Sequence, residues 1–234
     1  MNHARTTIGE IVADDYRASK VFEKYGIDFC CGGNVLLVET CADKGLAVGE
    51  ILKELEAVTA GAVPAEQDFG SWDLPRLADH IIKTHHSYLN ENTAPILGYA
   101  KKIAGVHGEN HPELFEIAAT FEMMATGLSE HLRAEEEVFF PAVRRVVAAT
   151  NIGRNAESGD VRVLEKVLAS LNEEHEEIGE GMHLIRHLSN GFLIPEDGCN
   201  TFAVTYEKLR EFEEDLHRHV HLENNILFRK ALQQ

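Results

Sequence analysis

The sequence predicts an all-α protein: an antiparallel four-helix bundle preceded by a small helical N-terminal domain. Three observations carry this. Strand-like alternation is nowhere sustained along the 234 residues. Four long stretches after Ser71 repeat apolar residues every three or four positions. The breaks between them are short and rich in Gly, Asn and Pro, which suits antiparallel neighbours.

Residues 1–56 hold short helical patterns broken by the turn CCGGN and form the small domain. The stretch 57–71, AVTAGAVPAEQDFGS, reads as a linker, and as a flexible coil its ends would lie about 20 Å apart. The bundle takes up 72–234. Its first helix is expected from Asp73 to Ile103, ended by GVHGENH. Pro112 is placed to open the second, which runs to Ala149. TNIGRNAESG leads to the third, Asp160 to Leu188, and NGFLIPEDG to the fourth, Asn200 to Leu232.

A net charge of −17 argues against nucleic acid or an anionic membrane as partner. No apolar run approaches a membrane span. The N-terminus, MNHARTTIGEIVADD, has early acids and no apolar core, so no signal peptide is read and the cytoplasm is expected. Thiols stay reduced there, so Cys30, Cys31, Cys41 and Cys199 are not expected to form a disulfide framework.

The chain writes His-x-x-x-Glu twice, in HLRAEEEVFFP from His131 and in HVHLENNILF from His219. In the second helix His131 and Glu135 continue the stripe Leu114, Ala118, Phe121, Met124, Leu128, Val138, Ala142. In the fourth, His219 and Glu223 fall on Phe202, Tyr206, Leu209, Phe212, Leu216, Ile226. In the third, His175 fills the gap in Leu164, Leu168, Leu171, Ile178, Met182, Ile185. One such histidine is an ordinary core residue. Five ionisable groups in register on three helices are costly as mere packing, because a buried carboxylate neutralises or finds a cation. Residues at i and i+4 share a helical face, so each motif can present both side chains to one metal region. Imidazole with carboxylate suits Fe, Mn or Zn, and the bundle stripes carry no thiol.

The first helix offers His80, His85 and His86 in DHIIKTHH. The stripe Leu74, Leu77, Ala78, Ile81, Ile82, Leu89 centres on His85, with His86 at its edge and His80 pointing away. His183 and His187, and His217 and His221, lie off or beside their stripes and read as solvated. Glu174, Glu136 and Glu137 are candidates for outer contacts to the ligands or for solvent. In DFCCGG, two adjacent cysteines before Gly-Gly read as an approachable thiol pair, whereas Cys41 and Cys199 read as isolated and structural.

One His, then HxxxE, one His and HxxxE, in that order, is similar to the hemerythrin-like di-iron pattern. YGIDFCCGG ahead of it, with DHII, EEH and LENNILF within it, resembles the RIC (repair of iron centres) iron–sulfur cluster repair proteins over essentially the whole chain. The resemblance implies a hemerythrin-like bundle whose metal ligands are His86, His131, Glu135, His175, His219 and Glu223. It favours His86 where periodicity favours His85. Arg229 departs from the Pro often found there. The converging stripe residues lead us to expect two non-haem irons about 3.5 Å apart, bridged by Glu135 and Glu223 and by oxo or hydroxo. Cys30 and Cys31 would be redox or transfer thiols, and the clients would be iron–sulfur proteins damaged by oxidative or nitrosative stress. NO and O2 are the small ligands, with no nucleic acid and no membrane. The oligomeric state is left open, a homodimer included. A di-iron NO- or O2-reactive oxidoreductase, carrier or sensor is the alternative.

Overall fold

The structure is a computed structural model describing residues 3–154 and 158–233. Among the described residues its regular elements are all helical, with a single isolated bridge between Thr7 and Leu36 and no strand. None of the helices among the described residues is long and apolar enough to cross a membrane. Two compact units are distinguished: residues 1–78 with 217–234, and residues 79–216.

The first unit begins with α1 (Ile8–Asp14), α2 (Ser19–Lys24), α3 (Leu37–Asp43) and α4 (Val48–Val58). A capping box starts α1: Thr7 Oγ1 accepts from the Glu10 amide and the Glu10 carboxylate accepts from the Thr7 amide. Ile8, Ile11, Phe22, Leu37, Ile51 and Leu55 fill the core. The stretch 57–71 is tied at both ends. Arg17 donates to the carbonyls of Thr59, Ala60 and Gly61, each at 3.3 Å. Lys230 donates to those of Gly70 (2.6 Å) and Trp72 (2.7 Å). Composition had suggested a free coil; cationic side chains aimed at loop carbonyls leave no composition signal.

The bundle helices follow. The first is α5 (Leu74–Ile81) continued by α6 (Ser87–His107), the second α7 (Glu113–Ala134) continued by α8 (Phe140–Asn151). The third is α9 (Ser158–Leu188), and the fourth α10 (Asn200–His221) continued by α11 (Phe228–Ala231). In the second unit α6 packs on α7, and α7 and α8 pack on α9. Phe212 of α10 meets Phe121 of α7, ring centroids 5.1 Å apart.

Three of these four helices are joined through a π turn: Ile82–His86, Glu135–Phe139 and Leu222–Leu227. A π turn adds one residue, so every residue beyond it moves round the helix by about 100° relative to an unbroken α pattern. Val138, expected in the stripe, is therefore 41% exposed and Phe139 is fully buried instead. The third helix has no such turn, and its expected stripe is buried from Leu164 to Ile185.

The fold of the first unit needs Gly33 where it stands. A Cβ there would lie 2.7 Å from the Phe29 carbonyl and 2.8 Å from Asn225 Oδ1, and the carbonyl is backbone that cannot rotate away. Gly33→Ala should lower stability by about 1–3 kcal/mol in chemical denaturation. Gly98→Ala, on an open face of α6, should raise it by about 0.5–1 kcal/mol. Equal stability of the two variants would contradict the close approach at Gly33.

Candidate metal centre

The π turn at Ile82–His86 buries two adjacent histidines, His85 and His86, to 1% exposure each. An unbroken α-helix would separate them by about 100°. They meet different partners. His85 Nδ1 bonds Asp215 Oδ1 at 2.9 Å. His86 Nδ1 bonds Glu136 Oε1 at 2.8 Å, and its Nε2 lies 3.3 Å from Glu135 Oε2. Phe140 stacks beside the His86 ring.

Glu135 opens the second π turn and is fully buried. One turn before it, His131 places Nε2 3.4 Å from Glu135 Oε2 and bonds Glu174 Oε2 through Nδ1 at 2.8 Å. Ser170 Oγ donates to the other Glu174 oxygen at 2.9 Å. The bond from His131 holds the Glu174 carboxyl below its usual range, keeping it an acceptor. From α9, His175 Nε2 faces His131 Nε2 at 3.0 Å. Ligating atoms of His131, Glu135 and His175 lie within 4.8 Å of one another.

These contacts set the tautomers. A carboxylate at Nδ1 holds a proton there, so in the neutral imidazole the Nε2 atoms of His86 and His131 turn lone pairs towards Glu135. Lone pairs beside a buried carboxylate repel, and a cation between them converts that repulsion into binding. A nearby carboxylate shows the other solution: Glu213, 1% exposed, is met by the Arg186 guanidinium. At Glu135 the neighbours are imidazoles, the donors that suit Fe, Mn or Zn. The donor set thus fits a metal on chemical grounds.

The other two expected ligands belong to the first unit. His219 and Glu223 are fully buried, with His219 Nε2 3.1 Å from Glu223 Oε2. Glu223 lies in the π turn Leu222–Leu227, so each of the three π turns carries an expected ligand: His86, Glu135 or Glu223.

The same turn carries a residue that sequence reasoning missed. Asn225, 6% exposed, donates from Nδ2 to the Phe29 carbonyl at 3.0 Å and lies 3.1 Å from His221 Nδ1. His221, expected on a solvated flank, is instead 1% exposed between the Tyr16 and Phe29 rings. Burial pushes its pKa down to about 3, so it is a neutral core residue. His217 is half-buried with its ring edge to Phe29. His183 and His187 are exposed, as read.

Asp28 organises the thiol loop. Its Oδ1 accepts from the amides of Cys30 (2.8 Å) and Cys31 (3.1 Å), and its Oδ2 from the amide of Gly32 (2.9 Å). The Cys30 thiol lies 3.1 Å from Oδ1. Cys30 is buried and Cys31 half-buried, and neither is in a disulfide. Hydrogen bonding with Cys31, burial and the Asp28 charge raise the Cys30 thiol well above its usual range.

Cys199, expected to be isolated and structural, is exposed immediately before α10, with Sγ 3.2 Å from His107 Nε2. Cys41 is buried in α3.

Residues 77–231 match the family described as hemerythrin HHE cation binding domain, and residues 4–59 match the domain of unknown function DUF542. The chain is 32% identical to a Haemophilus influenzae protein named probable iron-sulfur cluster repair protein, over 100% of both chains. It is 33% identical to the Escherichia coli protein named iron-sulfur cluster repair protein YtfE, over 96% of both. It is 29% identical to the Staphylococcus haemolyticus protein named iron-sulfur cluster repair protein ScdA, over 95% of this chain and 96% of that one.

Cys199 gives a pH prediction for this unit. The His107 bond, with help from the amides opening α10, pulls its pKa down to about 7. The thiolate therefore forms as pH rises through about 7, and alkylation of the Cys199 peptide, followed by mass spectrometry, should reach half its maximal rate there. His107→Gln should move that midpoint up towards about 8.5. An unmoved midpoint would mean that His107 does not set it.

Proposed function

We propose the following for this chain, which belongs to the hemerythrin HHE cation-binding family and to the family of iron–sulfur cluster repair proteins that it matches end to end: it is a di-iron protein that takes part in repairing iron–sulfur clusters damaged by oxidative or nitrosative stress. The observation that carries this reading is the presence in one chain of a buried imidazole–carboxylate donor set and a thiol loop shaped by Asp28. An O2 carrier has use for the first and none for the second.

His86, His131, Glu135, His175, His219 and Glu223 would hold two irons. All six are buried to 1% exposure or less. Four imidazoles and two carboxylates are too few donors to fill two six-coordinate irons, so the centre would supply an open position for NO or O2. Glu136 and Glu174 fix the His86 and His131 rings with Nε2 inward. Buried Phe140 stacks beside the His86 ring and buried Phe139 packs on Phe140. Cys30 and Cys31 would take iron or NO as cargo between this centre and a client, a damaged iron–sulfur protein in the cytoplasm. The open position also favours the second reading, a di-iron protein that itself reacts with NO or O2.

Replacing both Cys30 and Cys31 with Ser should leave the iron content and optical spectrum of the bundle unchanged, because neither is a bundle ligand. The same protein should fail to restore an iron–sulfur hydro-lyase inactivated by NO in an extract. Full restoration by the double variant would overturn the thiols' role and leave the second reading in its place.

A further inference from the structure

The first unit holds a second group of metal-type donors that the six buried ligands do not include. Oδ1 or Oδ2 of Asp28, Sγ of Cys30 and Sγ of Cys31 lie within 4.8 Å of one another. We propose that Asp28, Cys30 and Cys31 form a cation site of their own, taking one thiophilic divalent cation of the ferrous or zinc class. It rests on reading the thiol pair as handling cargo, and deepens that reading by naming a third ligand and a stoichiometry.

The spacing suits such an ion. Ligand atoms about 2.0–2.3 Å from one tetrahedral cation sit roughly 3.3–3.8 Å apart. Cys30 Sγ and Asp28 Oδ1 are 3.1 Å apart, so a few tenths of an ångström of opening admits the ion. Thiolates select soft or borderline cations over Ca2+ and Mg2+, and the single carboxylate keeps Fe2+ and Zn2+ within the class. Binding replaces two thiol protons, which leave to solvent.

The donors are held in place rather than brought together by chance. Three backbone amides grip both Asp28 oxygens, so the carboxylate cannot turn from the loop. The loop is itself fixed, with Asn225 donating to the Phe29 carbonyl and Gly33 packed against that carbonyl and against Asn225. Three protein donors leave one position of a tetrahedral ion for an incoming ligand, and half-buried Cys31 gives access to it. Structural zinc sites close all four positions; a site that keeps one open can pass its ion on.

Cobalt(II) is the probe, added to the full-length protein with its bundle iron in place and its thiols reduced under anaerobic conditions. Sulfur-to-cobalt charge transfer absorbs in the near ultraviolet, and imidazole and carboxylate ligands do not produce that band. The difference spectrum should show the band saturating at one cobalt per chain. Cys30→Ser and Cys31→Ser should each abolish it. Asp28→Asn keeps the shape of the side chain and should weaken cobalt binding at least tenfold with helical circular dichroism unchanged. If Asp28→Asn unfolds the loop, the two Cys variants decide alone. Absence of the band, its survival in Cys31→Ser, or unaltered affinity in a folded Asp28→Asn protein would each overturn the site. The repair assay separates the two claims. A Cys-dependent repair without a cobalt band would sink the site and leave the function standing; a band without Cys-dependent repair would do the reverse.

Discussion

Burial of the Glu135 and Glu223 carboxylates is the constraint on which the rest depends. Each is fully removed from water and each has an imidazole one helical turn before it. An ionised carboxylate in such surroundings costs several kcal/mol unless a positive charge compensates it. Glu213 meets that requirement with Arg186. At Glu135 the surroundings are His86 and His131, whose outward nitrogens are already committed to Glu136 and Glu174. With the outer nitrogens so committed, the inner nitrogens face Glu135, an arrangement that fits a cation. Glu136 and Glu174, partly exposed on the helix surfaces, thus orient the rings that face Glu135.

The three π turns are the means by which α-helical segments meet that constraint. An α-helix spaces its inward residues at three and four, which suits Leu and Phe but limits how many polar groups can converge at one level. The extra residue in Ile82–His86 puts two successive histidines in the interior and sends one to Asp215 and the other to Glu135. In Leu222–Leu227 the same device buries Leu222, Glu223, Asn225, Ile226 and Leu227 together. An expected ligand, Glu223, and the residue that fixes the thiol loop, Asn225, thus come from one turn of one helix.

Most of the fold was legible because apolar periodicity survives wherever the helix is regular. The stripe of α9 was readable in full. The misreadings sit at the π turns and at contacts with no periodic signal. Periodicity put Val138 in the core because it assumed an unbroken α pattern, and it set His85 above His86 where the structure buries both. Resemblance to the RIC proteins pointed to His86, whose inner nitrogen is the one beside Glu135. His221 looked like a flank residue because its burial depends on Tyr16 and Phe29, some two hundred residues earlier in the chain. Cys199 looked isolated because its partner, His107, lies ninety-two positions away. A His four residues before an Asn inside LENNILF was the only local trace of the Asn225 contact.

The central proposal is that six buried side chains, with His86 and not His85 as the first, would hold two irons. Iron per chain, measured on protein produced with ample iron, for the wild type, His85→Ala and His86→Ala, tests it most directly. The account predicts two irons in the wild type, two in His85→Ala with some loss of thermal stability, and fewer than two in His86→Ala. One iron or none in the wild type, or loss of iron in His85→Ala with retention in His86→Ala, would contradict it.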